Sequence, residues 1–280
     1  MATTDTQLWT RDASDALRWA CVIVAVATIV PGLALLSLIW QRAEYLGHGY
    51  VIPAVSLWLI VSDRAKIASA LRDGEVPALG PVAVLAASLF EAAAVSGEVV
   101  TAAGAGIPLV LAATAYAVGG TRLLRTAIVP IGFLALMVPI PNFLQAWTLL
   151  KLKLLVSEIA VSILQTAGYV VAQQGNTILI PGHDLFVADA CSGFTSIVTM
   201  LPLAVVVSYL LSRGVWRRVV IIGSVIPLAL VGNTLRILLT VGFISHGWLE
   251  FRDGIFHENL GLATFALGTV ALIGVARILR

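Results

Sequence analysis

Scanned in windows of about 20 residues, the length of helix needed to cross the hydrocarbon of a bilayer, the chain resolves into long apolar runs separated by short polar stretches. Runs near 17–40, 79–96, 99–118, 126–148, 191–212, 219–243 and 257–277 are each long enough to span. A further run, 49–62, is shorter; it opens at His48-Gly49-Tyr50-Val51-Ile52-Pro53 and closes at Asp63-Arg64, so it is a short span or one that projects from the bilayer. The region 149–190 breaks the pattern. Its first part predicts an amphipathic helix with Lys151, Lys153 and Glu158 on the polar side, and its second part predicts a hairpin with Thr177–Ile180 and Leu185–Val187 around Pro181-Gly182-His183-Asp184. The expected fold is all-α: one transmembrane domain over 1–280, a polytopic bundle of about eight spans, with 149–190 as a small extracytoplasmic insertion that caps the site.

Composition excludes the soluble alternatives. Of 280 residues 59% are hydrophobic and 11% charged, too few charges to coat a water-soluble surface of this size. The mean hydropathy is +0.99. The formal charge of +2 is spread thinly, which argues against nucleic acid as a partner. The polar stretch 1–16 precedes an apolar run too long for a signal-peptide core, so that run is expected to be retained as the first span. Two cysteines, Cys21 within that span and Cys191 at a predicted boundary, support no disulfide framework.

Basic residues set the orientation, because Lys and Arg stay on the cytoplasmic side during insertion. With the N-terminus inside, twelve of the 17 fall in one set of loops and tails, among them Arg18, Arg64, Lys66, Arg72, Arg122, Arg125, Arg213, Arg217, Arg218 and Arg280. Only Arg42, Lys151, Lys153 and Arg252 fall in the other, and Arg236 lies within a span. Both termini are therefore expected in the cytoplasm, as eight crossings require.

This topology brings three reactive side chains to one depth at the outer face. Cys191 begins the sixth predicted span, Arg236 lies past the midpoint of the seventh within about two turns of its outer end, and His257 begins the eighth. A cysteine at a helix N-terminus meets the positive end of the dipole, which favours thiolate; the plainer reading is a small residue at a helix start. An arginine within a span costs at least about 2.5 kcal/mol unless it finds water or a partner. Asn233, three residues before Arg236, shares its face; snorkelling to the headgroups is the alternative. His257 suits general acid or base chemistry near neutral pH, or is an interfacial histidine, and Gly261 one turn on allows close approach by a neighbouring helix. His48, His183 and His246 also fall outside. Asp189, Cys191 and His257 show no metal-ligand spacing, so no metal is expected. Glu91 in the third span either lines a path or sits protonated against another helix.

Ala190-Cys191-Ser192-Gly193, Asn233-x-x-Arg236 and His257-x-x-x-Gly261, in this order near the end of a polytopic chain, resemble the exosortase/archaeosortase family. His48-Gly49-Tyr50-Val51-Ile52-Pro53 looks like that family's N-terminal feature, so the resemblance runs from about residue 45 to the end. It implies a membrane-embedded cysteine protease/transpeptidase that cleaves the C-terminal sorting signal of exported proteins by acyl transfer, without metal or organic cofactor. It implies Cys191 as nucleophile, Arg236 as the group that stabilises the oxyanion or orients the thiolate, and His257 as general acid/base, with Asn233, Ser192, Gly193 and His48 supporting. The setting it implies is the bacterial inner membrane, often beside exopolysaccharide genes, with the site facing the periplasm. The competing reading is a transporter or polysaccharide-assembly component in which Arg236 and Glu91 line a passage and Cys191 is incidental.

Overall fold

Apolar helices dominate the chain because a backbone in hydrocarbon must satisfy its own hydrogen bonds. The computed structural model describes residues 2–42, 44–187, 192–251 and 254–280, with the side chains of 2–14, 44, 45, 251 and 257 outside the described set. Ten helices are described: α1 (Ala2–Arg42), α2 (Val51–Ser62), α3 (Arg64–Arg72), α4 (Gly80–Ser96), α5 (Val100–Phe133), α6 (Asn142–Thr166), α7 (Phe194–Leu211), α8 (Val215–Gly223), α9 (Val225–Ser245) and α10 (Ile255–Ile278). Strands β1 (Ala172–Gln174), β2 (Thr177–Ile180) and β3 (His183–Phe186) lie between α6 and α7. Among the described residues, five helical segments are long and apolar enough to cross a membrane: Asp15–Arg42, Val100–Met137, Phe194–Leu211, Val215–Ser245 and Glu258–Ile278. Leu46–Ser62 and Gly80–Ser96 are apolar but shorter. The protein is a multi-pass, all-α membrane protein, and its chain divides into two compact units, Met1–Ile140 and Pro141–Arg280.

In the first unit α1 buries Cys21, Ala25, Leu36 and Trp40 along one stripe and exposes Trp19, Ile23, Val26, Val30 and Leu38 on the other side, the pattern of a helix with one face on protein and one on lipid. The expected turn after the run 99–118 is present. Gly119 and Gly120 leave helical geometry, Gly120 with φ +63 and ψ −162, and the chain reverses there. Thr101 Oγ1 donates to the Pro139 carbonyl at 3.0 Å, a contact between opposite ends of α5 and its continuation that a straight helix forbids. α5 is therefore a helical hairpin. The predicted span 126–148 is corrected by the same geometry: the returning arm ends in the 3-10 turn Leu134–Met137, and Val138 is extended (φ −73, ψ 124). Pro139 and Pro141 in Val138-Pro139-Ile140-Pro141 remove two N–H donors, and each disfavours helix at the residue before it.

The two ends of this unit differ in chemistry. At one, Arg122 pairs with Asp73 at 3.1 Å and Arg18 Nη2 donates to the Gly74 carbonyl at 3.4 Å, beside the Gly119–Gly120 reversal. At the other, the Trp40 indole donates to the Met137 carbonyl at 3.4 Å and meets the Tyr50 ring edge-on at 5.0 Å. Gly49 lies flat on that indole, where any side chain would overlap it.

In the second unit α6 departs from expectation. It starts at Asn142 rather than 149, and Lys153 is buried at 9% exposure with its ammonium 5.6 Å from the Phe186 ring centroid. Lys153 is thus not on a polar face; Lys151 and Glu158 are exposed as expected. The helix is two-sided because Val156, Ala160, Val161 and Leu164 must cover the sheet, while Leu150, Leu155, Ile159 and Ile163 remain outward. The predicted hairpin is present as β2–β3, with Ile180 opposite His183 and Gly182 at φ +80 after Pro181, as a type II turn requires. A third strand, β1, was not expected. It pairs antiparallel with β2 through a two-residue turn that begins at Gly175, φ +62. Ile178, Ile180 and Leu185 seal this sheet onto α6 and onto Ile237, Val241 and Ile244 of α9.

Candidate active site

α7, α8, α9 and α10 form the rest of the second unit, joined by Met200, Ala204, Ile221, Val225, Ala229 and Leu272. Helices α9 and α10 run antiparallel at close range: Gly232 faces the Thr264 carbonyl, and Gly261 faces Arg236. Small residues at such crossings let backbones approach, the usual means of packing helices where no water drives association.

Arg236 is 9% exposed and Asn233 is 4% exposed, so the shared face expected from their three-residue spacing is the buried one. The guanidinium does not snorkel to the headgroups. It lies flat against the Gly261 backbone, so close that a β-carbon at 261 would sit 2.7 Å from Cζ and 2.8 Å from Nη1. Gly193 comes to the other member of the motif, its α-carbon side facing the Asn233 side chain and the Ala229 carbonyl. Its φ of +82 is the left-handed conformation that glycine adopts without strain, and it ends the link into α7. Ser192 is fully buried, and its hydroxyl accepts the Phe194 N–H at 3.1 Å, satisfying a donor that the first turn of α7 leaves free.

Three predicted motifs thus meet in part. Ser192-Gly193, Asn233-x-x-Arg236 and Gly261 converge from α7, α9 and α10 within one unit. Cys191, Asp189 and Ala190 lie outside the described residues, and α7 begins at Phe194, three residues beyond Cys191. His257 is the third residue of α10, one turn before Gly261, and its side chain lies outside the described set. His48 belongs to the other unit, in the 3-10 turn Glu44–Tyr50 beside the Gly49–Trp40 contact. His183 opens β3, and His246 follows α9 with its Nδ1 2.8 Å from the Gly242 carbonyl.

One polar residue on this face escaped the sequence reading. Thr240 is 1% exposed and four residues beyond Arg236, so Asn233, Arg236 and Thr240 form a buried polar stripe at i, i+3 and i+7. That spacing was visible, but a threonine in an apolar run carries no hydropathy signal. Glu91 is also fully buried, in the first unit, with its carboxyl between Gly32 of α1 and Gly106 of α5 and no hydrogen-bond partner among the described residues. Among the described residues no group of His, Cys, Asp and Glu could hold a metal ion.

Long apolar helices, with a guanidinium buried between α9 and α10 in the second unit, define an all-α, multi-pass membrane protein. The family model described as transmembrane exosortase (Exosortase_EpsH) matches residues 40–274, and the chain belongs to that family. No curated protein and no solved structure matches the chain significantly.

Proposed function

We propose that this exosortase is a cysteine transpeptidase or protease that cleaves the C-terminal sorting signal of exported proteins at the periplasmic face of the bacterial inner membrane. The observation that carries the reading is the direct contact of the Arg236 guanidinium with Gly261, which joins the Asn233-x-x-Arg236 motif to the helix that carries His257 one turn away. A guanidinium fixed at this position can stabilise a developing oxyanion.

In the proposed reaction the Cys191 thiolate attacks the scissile carbonyl carbon, and the carbonyl electrons move to oxygen beside Arg236. The tetrahedral species collapses, the C–N bond breaks, and the leaving amine takes a proton from His257. A thioester remains on Cys191. Water, an amine or a hydroxyl then attacks it, His257 accepts the nucleophile's proton, and the thiolate returns. Asn233 and Ser192-Gly193 shape the wall of the site.

The proposed topology has eight crossings: α1, 46–62, α4, the two arms of α5, α7, α8 with α9, and α10, with α6 and the sheet outside as a cap. Two groupings support it. Arg18 and Arg122 share one end of the first unit, and in the second unit Arg213, Arg217 and Arg218 lie at the end away from Arg236. Both sets then face the cytoplasm, as the bias in basic residues requires.

The test is trapping. Cells carrying the Cys191→Ala protein should accumulate uncleaved substrate, and Cys191→Ser should do the same, because an alcohol without a matched base is a far poorer nucleophile. Brief acid quenching of the parent protein with substrate should leave a thioester adduct on Cys191 that hydroxylamine releases. Full function in Cys191→Ser, with loss only on removing the charge at Arg236 or Glu91, would instead favour a transport role.

A further inference from the structure

The arginines of the second unit do more than mark an orientation. Tyr209, Ser212, Arg213, Arg217, Arg218 and Arg280 line a cavity of about 500 Å³, and no acidic side chain is among its lining residues. It sits where α7 ends and α8 begins, about 27 Å along the 18 residues of α7 from the Arg236 end. Its volume suits a small polar headgroup.

The cavity is built rather than incidental. Arg218 is fixed at its wall, with its guanidinium 5.2 Å from the Tyr209 ring centroid and its Nε donating to the Ser212 carbonyl at 3.4 Å. Ser212 is 2% exposed, and its hydroxyl has no hydrogen-bond partner among the described residues. A buried hydroxyl left unmatched costs about 1–3 kcal/mol, so a ligand oxygen at that position has a donor waiting.

The surroundings indicate the source of that anion. On α8 Val215 and Trp216 are 78% and 76% exposed, and Val219 is 52% exposed, next to Arg217 and Arg218. An exposed tryptophan and valines beside arginines are the arrangement of the end of a spanning helix at a membrane interface. A soluble phosphate compound has no use for that apolar rim, whereas a phospholipid places its phosphate among the arginines and its acyl chains along the rim. We propose that this cavity binds the phosphodiester headgroup of an anionic membrane phospholipid, at the bilayer face opposite Arg236. The site is separate from the peptidase chemistry and does not rest on it.

The test compares full-length protein in detergent with added short-chain phosphatidylglycerol, short-chain phosphatidylcholine or inorganic phosphate, following thermal unfolding and lipid retention by native mass spectrometry. Phosphatidylglycerol should bind at least about tenfold more tightly than phosphatidylcholine, as expected for charge-assisted hydrogen bonds. The exposed pair Arg213→Gln/Arg217→Gln should abolish that preference. Ser212→Ala should weaken phosphatidylglycerol binding by several-fold while leaving the ligand-free protein as stable as the parent or more so, since it deletes an unmatched hydroxyl. Equal binding of the two lipids, or full retention of phosphatidylglycerol by both variants, would overturn the proposal. Stabilisation by inorganic phosphate equal to that by phosphatidylglycerol at the same concentration would overturn the lipid assignment in favour of a free phosphate site.

Discussion

Replacing Gly261 by alanine separates the chemistry of this protein from its stability. The new β-carbon would lie 2.7 Å from Arg236 Cζ, 2.8 Å from Nη1 and 3.0 Å from Nη2. Non-bonded carbon atoms rest at about 3.5–4.0 Å, so the contact must open by about 1 Å. The obstacle is the far end of a flexible side chain, so the guanidinium moves and the helix pair stays. A displacement of that size costs on the order of 100-fold in rate, or about 2.7 kcal/mol of transition-state stabilisation. Folding should run the other way, because alanine in a helix interior is favoured over glycine by about 0.5–1 kcal/mol. Gly268 on the same helix supplies the control: its β-carbon would meet Met200 at 3.6 and 3.7 Å, ordinary contact. Single-turnover cleavage of an exported substrate by each variant in proteoliposomes, with thermal unfolding in detergent alongside, reads both quantities. Gly261→Ala should be slow and fully folded, and Gly268→Ala should match the parent in rate. A Gly261→Ala enzyme at the parental rate, or equal losses in both variants, would refute the placement of Arg236 in the reaction.

Further outcomes follow from the same contacts. Arg236→Lys should lose at least about 100-fold in cleavage with folding retained, because a point charge on a shorter head neither covers Gly261 nor offers the planar fork. Gly106→Ala should lower the unfolding temperature, at a cost of about 1–3 kcal/mol from overpacking against the Glu91 carboxyl, and Glu91→Ala in the same chain should restore part of that loss; an additive double variant would show that the two residues do not touch. Gly120→Ala should destabilise by about 1–3 kcal/mol, since φ +63 with ψ −162 is open only to glycine and the β-carbon would lie 2.9 Å from the Glu75 carbonyl oxygen. Its proteolytic sensitivity at the α5 reversal should rise in step.

Much of the architecture was legible in one dimension. Hydropathy measures transfer into lipid, so it located two helices of the second unit to within a few residues: runs 191–212 and 257–277 are α7 at Phe194–Leu211 and α10 at Ile255–Ile278. The Pro181-Gly182 turn was readable because few residues can occupy it, and the three-residue spacing of Asn233 and Arg236 placed both on one helical face. The family motifs include Gly193 and Gly261, the glycines that face Asn233 and Arg236.

Tertiary structure decided what depends on rotation about a helix axis and on backbone hydrogen bonding. Hydropathy cannot distinguish a lipid-facing leucine from one facing protein, nor a lysine in water from Lys153 folded over Phe186, because both positions suit the same residue types. It ran the fourth long span through Pro139 and Pro141, where the missing donors end the helix. It gave no sign that Gly32 and Gly106 enclose Glu91, or that Gly261 receives the Arg236 guanidinium. Depth in the membrane is written in composition along the chain, whereas the neighbour across a helix interface emerges only when glycines let two backbones come close enough to choose it.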